Sequence, residues 1–421
     1  MSEHVDVLVL GAGIAGLGAA EKAKRCGREA VLFEAQETAG GLLDNFIVNG
    51  FRFDNAVHLS FSEDKEVRDI FDRTPYLTHP TDSFNFDEDR WLKHPVQNNL
   101  YPLEAEDKVE LIESFLARPD SMASDDYGNW LLHQYGEKIT DRFPGRYTRK
   151  YWQTDARNLS TTWIGKRMRR AELSEILYGA VTDQTPNTYY AKEMRYPKEG
   201  GYKAFIEPLI EAATIRCGHR AVAIDLNGKS VRFGNGNEVT YTTLVNTLPL
   251  PLFVALCGVT RGPLHDAAAQ LKATSIDLIS VGFNRKVTDY LWFYMYDEDI
   301  LASRAYSPSI KSPANAPDGC SSLQFEIYNP DRTSQHQPDD LIENVRYALA
   351  KMKLATEDDI LFMHHKHLPW GNVIFFKEME KHRQVIRDFM AAQKVETCGR
   401  FGEWDYLWSH QAFLSGLNVS L

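Results

Sequence analysis

Cysteine is scarce in this chain: Cys26, Cys217, Cys257, Cys320 and Cys398 are scattered, and no two form a CxxC pair. That excludes a disulfide framework and a cysteine zinc site, and it fits a protein of the reducing cytoplasm. Long apolar runs are missing too. The first hydrophobic stretch, residues 5–10, is short, is preceded by Glu3 rather than a basic region and leads to no cleavage site. Neither a signal peptide nor a membrane span is expected. Positive charge is in deficit: 47 Lys and Arg stand against 58 Asp and Glu, a formal net charge of -11. No basic field is available for nucleic acid or an anionic membrane, so an anionic small ligand would need locally placed arginines. His364-His365-Lys366-His367 lacks HExxH spacing and partnering cysteines, so no metal is expected there or elsewhere. Internal repeats and low-complexity linkers are absent as well.

What is present begins with Gly11-Ala12-Gly13-Ile14-Ala15-Gly16, a GxGxxG turn between a short apolar strand and a helix-like segment running to about Lys24. Gly11 permits the tight turn, Gly13 lets backbone approach a pyrophosphate, and Gly16 allows close packing of helix on strand. The helix N-terminus then faces the anion. A second strand, residues 29–33, ends in Glu34, eighteen residues after Gly16, where a carboxylate can accept from ribose hydroxyls. Gly40-Gly41-Leu42 follows closely, and a second glycine pair suits backbone passing near a flavin's phosphates and ring. The reading is a Rossmann-like site that holds FAD rather than a nicotinamide alone.

With 421 residues the chain is too long for one small core. Helical patterns at 107–117, 129–138 and 163–179 predict a mainly helical insertion. A hairpin-rich stretch at 222–247 and a β-rich one at 275–326 follow, with helices at 204–213 and 340–353 and an apolar helix from about Gln411. The expected architecture is α/β. A discontinuous Rossmann-like FAD-binding domain comprises 1–62, 195–256 and 396–421, a mainly helical substrate or lid domain 63–194, and a β-sheet substrate domain 257–395.

Several motifs in order resemble the FAD-dependent amine-oxidase and protoporphyrinogen-oxidase-like superfamily, and within it the UDP-galactopyranose mutases of eukaryotic type. Ala56-Val57-His58-Leu59-Ser60 is similar to the segment that sets a histidine beside the flavin. Arg90 to Asn99 resembles the segment whose glutamine, here Gln97, meets the uracil. Residues 147–167 resemble the segment carrying a tryptophan and a lid arginine, Trp152 and Arg167, and Pro186-Asn187 resembles a second lid with a substrate-contacting asparagine. Trp292-Phe293-Tyr294 and Arg304 are similar to a strand and loop serving the substrate pyrophosphate. Gly399 to Tyr406 resembles the C-terminal flavin motif, with Arg400 at the cofactor and Tyr406 at the phosphates; Val222 joins the implied cofactor set.

The resemblance implies a ring contraction of a nucleotide sugar by reduced FAD, whose N5 attacks the anomeric carbon, with NADPH or NADH as reductant. Arg167 and Arg304 would grip the pyrophosphate, Tyr294 and Tyr406 would add neutral donors, and a neutral His58 would orient the flavin. The implied partner is a UDP- or related nucleotide-hexose, with an oligomer left open. The chain departs from the family pattern at His94, where a tyrosine is usual, and at Val96, where an aromatic stacks on the base. It departs again at Asn372, in place of an expected tyrosine, and at His410, in place of an asparagine. An FAD-dependent oxidoreductase of the amine-oxidase or protoporphyrinogen-oxidase type, or a flavin-holding protein without activity, are the alternatives.

Overall fold

A computed structural model describes residues 3–165, 167–168, 170–187 and 191–421. Its first sheet is built on Glu3–Leu10, whose residues 7–10 are buried on both faces, as a central parallel strand requires. Ala30–Phe33 and then Thr214–Arg216 add to one side of it, and Glu238–Asn246 pairs along the other. The first part of Glu238–Asn246 also takes the antiparallel ribbon Ala221–Asp225 and Ser230–Phe233, and its last part takes Val395–Thr397 in parallel. Pieces from the beginning, middle and end of the chain thus share one α/β sheet.

The helix Ile14–Arg25 packs on Ser409–Leu417 through two glycines. A Cβ on Gly18 would lie 2.4 Å from the Phe413 carbonyl oxygen, and one on Gly416 would lie 2.1 Å from that of Ala15. This backbone-to-backbone approach draws the C-terminal segment, with Arg400 and Tyr406, against the N-terminal unit.

The second sheet runs in the order Ile360–Leu368, Ser275–Phe283, Ser321–Asn329, Arg304–Tyr306, Trp292–Met295, Phe84–Asp87, Arg90–Lys93. Strand periodicity divides its side chains cleanly. Ile279, Val281, Phe283, Phe293, Leu323, Phe325 and Ile327 pack with Leu341, Val345 and Leu349 of the helix Pro338–Lys351. The alternate residues Ile276, Trp292, Tyr294, Arg304 and Tyr328 point the other way, into a cavity.

The stretch 63–194, expected to be mainly helical, also gives this sheet a hairpin. Phe84–Asp87 and Arg90–Lys93 are joined by Glu88 and Asp89, both at positive φ (48° and 66°), the signature of a type I′ turn. The helix expected at 163–179 is found at Leu173–Val181; Gly165, at φ 47°, breaks the stretch near its expected start, and Lys166 and Arg169 lie outside the described residues. The expected helix at 129–138 divides into Tyr127–Tyr135 and Glu137–Thr140 at Gly136, whose φ of 78° no other residue adopts cheaply. Beyond it, Asp141–Gly145 is π-helical around Pro144, which has no N–H to give, before Arg146–Trp152 resumes the α-helix. No described helix is long and apolar enough to cross a membrane.

Candidate active site

The glycine turn has the geometry its spacing implies. Gly11 sits at φ 99°, and a Cβ on Gly16 would fall 2.1 Å from the Gly11 carbonyl oxygen, so the third glycine closes helix onto turn. Gly13 is extended (φ -77°, ψ 177°) and faces the Gly40-Gly41 pair: Gly40 donates its N–H to the Ala12 carbonyl at 2.9 Å. Glu34 is buried. Its carboxylate accepts from the N–H of Ala12 and the N–H of Gln36, each at 2.9 Å, leaving further lone pairs for a hydroxyl. The glycine pair leads directly to Leu42, whose carbonyl accepts from His58 at 3.0 Å. A continuous track therefore runs from the turn to the cavity.

That cavity, of about 580 Å³, lies against one face of the second sheet and is walled by the helix Arg146–Trp152 and the C-terminal segment. Eight tyrosines, three arginines (Arg167, Arg304 and Arg400) and two histidines (His58 and His94) line it, and no aspartate, glutamate or lysine does among the described residues. Of the sequence-predicted residues, His58, Gln97, Trp152, Arg167, Tyr294, Arg304, Tyr406, Leu42 and Arg400 come together in this wall. Two do not. Asn187 is exposed and donates to Asp82, and Val222 is 44% exposed on the outer strand Ala221–Asp225. Gly11, Gly13, Gly16, Glu34, Gly40 and Gly41 stand behind the wall at the turn.

Arg304 is held from behind by Glu326: Nε donates to Oε2 at 2.5 Å, and Nη2 donates to the Tyr328 hydroxyl at 3.0 Å. Burial works against its charge, yet the Glu326 carboxylate and the surrounding phenols hold the guanidinium well above its ordinary range. Arg167 stacks over Trp408 (4.3 Å) and Tyr406 (4.6 Å) and donates to the Tyr406 and Trp163 carbonyls. Its cationic carbon thus lies over two aromatic faces.

Arg400 lies 4.9 Å over the other partner of this stack, Tyr406, and its Nε has no hydrogen-bond partner among the described residues. The Tyr406 hydroxyl shares a 2.7 Å hydrogen bond with that of Tyr151. Burial raises the phenols of Tyr147, Tyr328 and Tyr406 above the ordinary range, so all three keep their protons and remain donors.

Enclosure pushes His58 down to about 4, and it does the same to His94. Both rings are neutral near pH 7. The His58 Nε2 meets the Leu42 and Asn55 carbonyls at 3.0 and 3.1 Å. Two acceptors require the proton on that nitrogen, which leaves Nδ1 with a free lone pair. Among the departures from the family pattern, His94, Val96 and Asn372 are part of the cavity wall. His410 is not a lining residue but packs behind two that are, Phe61 and Trp408.

The sequence reading missed Tyr147, Tyr151, Tyr328 and Glu326. A signal for the last two was available in Ser321–Asn329, where Leu323, Phe325 and Ile327 alternate with Gln324, Glu326 and Tyr328: a strand buried on both faces with one polar face. The His364 to His367 run lies on the edge strand Ile360–Leu368, where His365 and His367 meet Asp277 at 2.7 and 2.8 Å. No group of metal-ligating side chains occurs among the described residues.

A family model of an NAD(P)-binding Rossmann-like domain matches residues 9–74. Over 52 residues the chain is 42% identical to the inactive all-trans-retinol 13,14-reductase of Danio rerio, a match spanning 12% of this chain and only 9% of that protein. Solved structures extend the likeness over the whole chain. Reduced UDP-galactopyranose mutase superposes with a TM-score of 0.91 at 24% identity, covering 98% of this chain and 94% of that one. A provisionally named protoporphyrinogen oxidase from Exiguobacterium sp. 255-15 gives 0.75 at 18%, covering 99% and 97%. Putrescine oxidase bound to putrescine gives 0.67 at 13%, covering 99% and 98%. The chain has the fold these proteins share.

Proposed function

We propose that this chain is a flavin-dependent nucleotide-sugar pyranose/furanose mutase of the UDP-galactopyranose mutase kind, as its motifs of eukaryotic type imply. The observation that carries the reading is the cavity's charge: three arginines and a ring of protonated phenols, with no carboxylate or lysine among the described lining residues. Such a wall attracts a ligand with concentrated negative charge, as a diphosphate has. It offers no counter-charge to a cationic amine, so the amine-oxidase alternative is disfavoured. A porphyrinogen carries carboxylates that an arginine can meet, so that alternative is decided by the assay below rather than by the cavity's charge.

The residues fit an FAD. Gly13 and Gly41 form a narrow backbone cradle, in which a Cβ on Gly41 would lie 3.1 Å from the Gly13 Cα, and the buried Arg400 Nε awaits an acceptor. Gly11, Gly13, Gly16, Glu34, Gly40, Gly41, Leu42 and Arg400 would hold it. When bound and reduced, that flavin would supply an electron-rich nitrogen nucleophile.

The chain's own residues do the rest. Arg304 and Arg167 bind the diphosphate and stabilise the charge that grows on it as the glycosidic bond breaks. Tyr294 and Tyr406 donate to the same oxygens, Gln97 serves the base end, and Trp152 supplies an apolar wall that keeps water out. His58 accepts through Nδ1 and orients whatever donor faces it.

The test is to purify the protein, release and identify its flavin, and assay UDP-galactopyranose with oxidised and dithionite-reduced enzyme. Ring contraction only in the reduced state, without stoichiometric consumption of reductant, is expected, with NADPH or NADH replacing dithionite more slowly. Equal turnover in both states, absence of flavin, or peroxide release from an amine or porphyrinogen would overturn the reading.

A further inference from the structure

Asn372 is only 3% exposed and lines the cavity, yet its Nδ2 has no hydrogen-bond partner among the described residues. Leaving a buried amide unpaired is unfavourable, so native proteins seldom do it without a use. The side chain has little freedom to withdraw. The Asn372 N–H donates to Thr274 Oγ1 at 2.9 Å and its carbonyl accepts from the Thr274 N–H at 2.8 Å. The preceding Gly371 donates to the Thr274 carbonyl at 2.7 Å, so close to the strand that a Cβ there would lie 2.7 Å from Ile276 Cγ1. A short amide is thus fixed on rigid backbone, and its neighbours in the wall, Gly371 and Ile276, offer no side-chain acceptor.

The arginines already supply charge to this cavity, and an amide adds direction without adding more. A site with a buried donor built for one oxygen discriminates strongly against ligands that lack it. Resting on the mutase reading, we infer that Asn372 is a specificity-determining residue whose amide N–H donates to an acceptor oxygen of the nucleotide sugar, on the diphosphate or on the hexose.

The holoenzyme is compared with Asn372→Leu, which removes both polar atoms at similar volume, and with Asn372→Asp, which keeps the shape but only accepts when ionised. UDP and UDP-galactose are titrated into each by calorimetry, with bound flavin measured as the check on folding. Both variants are expected to retain flavin and to bind UDP-galactose roughly five- to a hundred-fold more weakly. An equal loss for UDP assigns the oxygen to the nucleotide diphosphate, and unchanged UDP binding assigns it to the hexose; either result supports the inference. Wild-type affinity of both variants for both ligands overturns it. Where the leucine variant folds poorly, Asn372→Ala, which removes the amide without adding a charge, gives the answer in its place. A wild-type protein that holds flavin but binds neither ligand overturns the mutase reading and this inference together, and is distinguished by the wild-type titration.

Discussion

Glu326 grips Arg304 with one carboxylate oxygen and the main-chain N–H of Val57, at 2.8 Å, with the other. One fully buried carboxylate therefore ties the cavity's guanidinium to the loop that carries His58. Removing one partner of such a pair leaves the other charge uncompensated. Arg304→Met is expected to lose about 3–5 kcal/mol of stability, whereas the double variant Arg304→Met with Glu326→Gln should recover most of it. Nucleotide binding should be lost in both. Urea unfolding read beside UDP titration separates the two effects; recovery of UDP binding in the double variant would mean that Arg304 does not meet the ligand.

Gly13 and Gly16 should fail differently. A Cβ on Gly16 has no room beside the Gly11 carbonyl, so Gly16→Ala is expected to cost roughly 1–3 kcal/mol or more and to reduce soluble yield. Gly13 already has a φ open to any residue, and the nearest atom to a Cβ there is 3.9 Å away. Gly13→Ala should therefore fold with near-normal apoprotein stability and lose flavin. Visible absorbance and thermal melts of the two variants decide it; normal flavin content in Gly13→Ala would remove the phosphate role from this turn.

The pH dependence has a definite sign. His58 and His94 both have folded values near 4, below the ordinary 6.5 of the unfolded chain. Between these values the unfolded state binds more protons, so stability is present above about pH 6.5 and is lost as pH falls toward 4. The loss is at most about 3 kcal/mol for each ring. In urea titrations from pH 7 to 4, His58→Gln and His94→Gln should each flatten the acid side of the stability profile. A profile identical to wild type in both would mean that neither ring is held neutral.

Arg167 rests on two aromatic faces while donating to two carbonyls, a combination that the compact ammonium of a lysine does not reproduce. Arg167→Lys is expected to weaken UDP binding about ten- to a hundred-fold despite its unchanged charge, with flavin content preserved. Calorimetry at two salt concentrations checks this: an effect that vanishes at low salt would reduce Arg167 to a simple point charge.

Local patterns made much of this legible in advance. The GxGxxG spacing and the strands around it announced the turn, and the motif order brought His58, Gln97, Trp152, Arg167, Tyr294, Arg304 and Tyr406 to one cavity. Asn187 and Val222 were chosen by motif alone, and the structure sets both on exposed surface. The hairpin at 84–93 was hidden by its position inside a helical stretch. Its pairing partner, Trp292–Met295, lies some two hundred residues away, and no local pattern reports a strand's partner.

The sequence by itself determined the nucleotide-binding turn and the deficit of positive charge, which follow from short-range physics: glycine's access to positive φ, strand and helix periodicity, and the fixed charges of side chains. Nine of the residues that line the cavity were named in advance too, most of them through the motif resemblance. Only the tertiary structure decided that Glu326 backs Arg304, that Arg167 lies over Tyr406 and Trp408, that the His58 proton sits on Nε2, and that the Asn372 Nδ2 has no partner among the described residues. Each depends on groups far apart in the chain meeting within a few ångströms away from water, where burial and unpaired polar atoms set the energies.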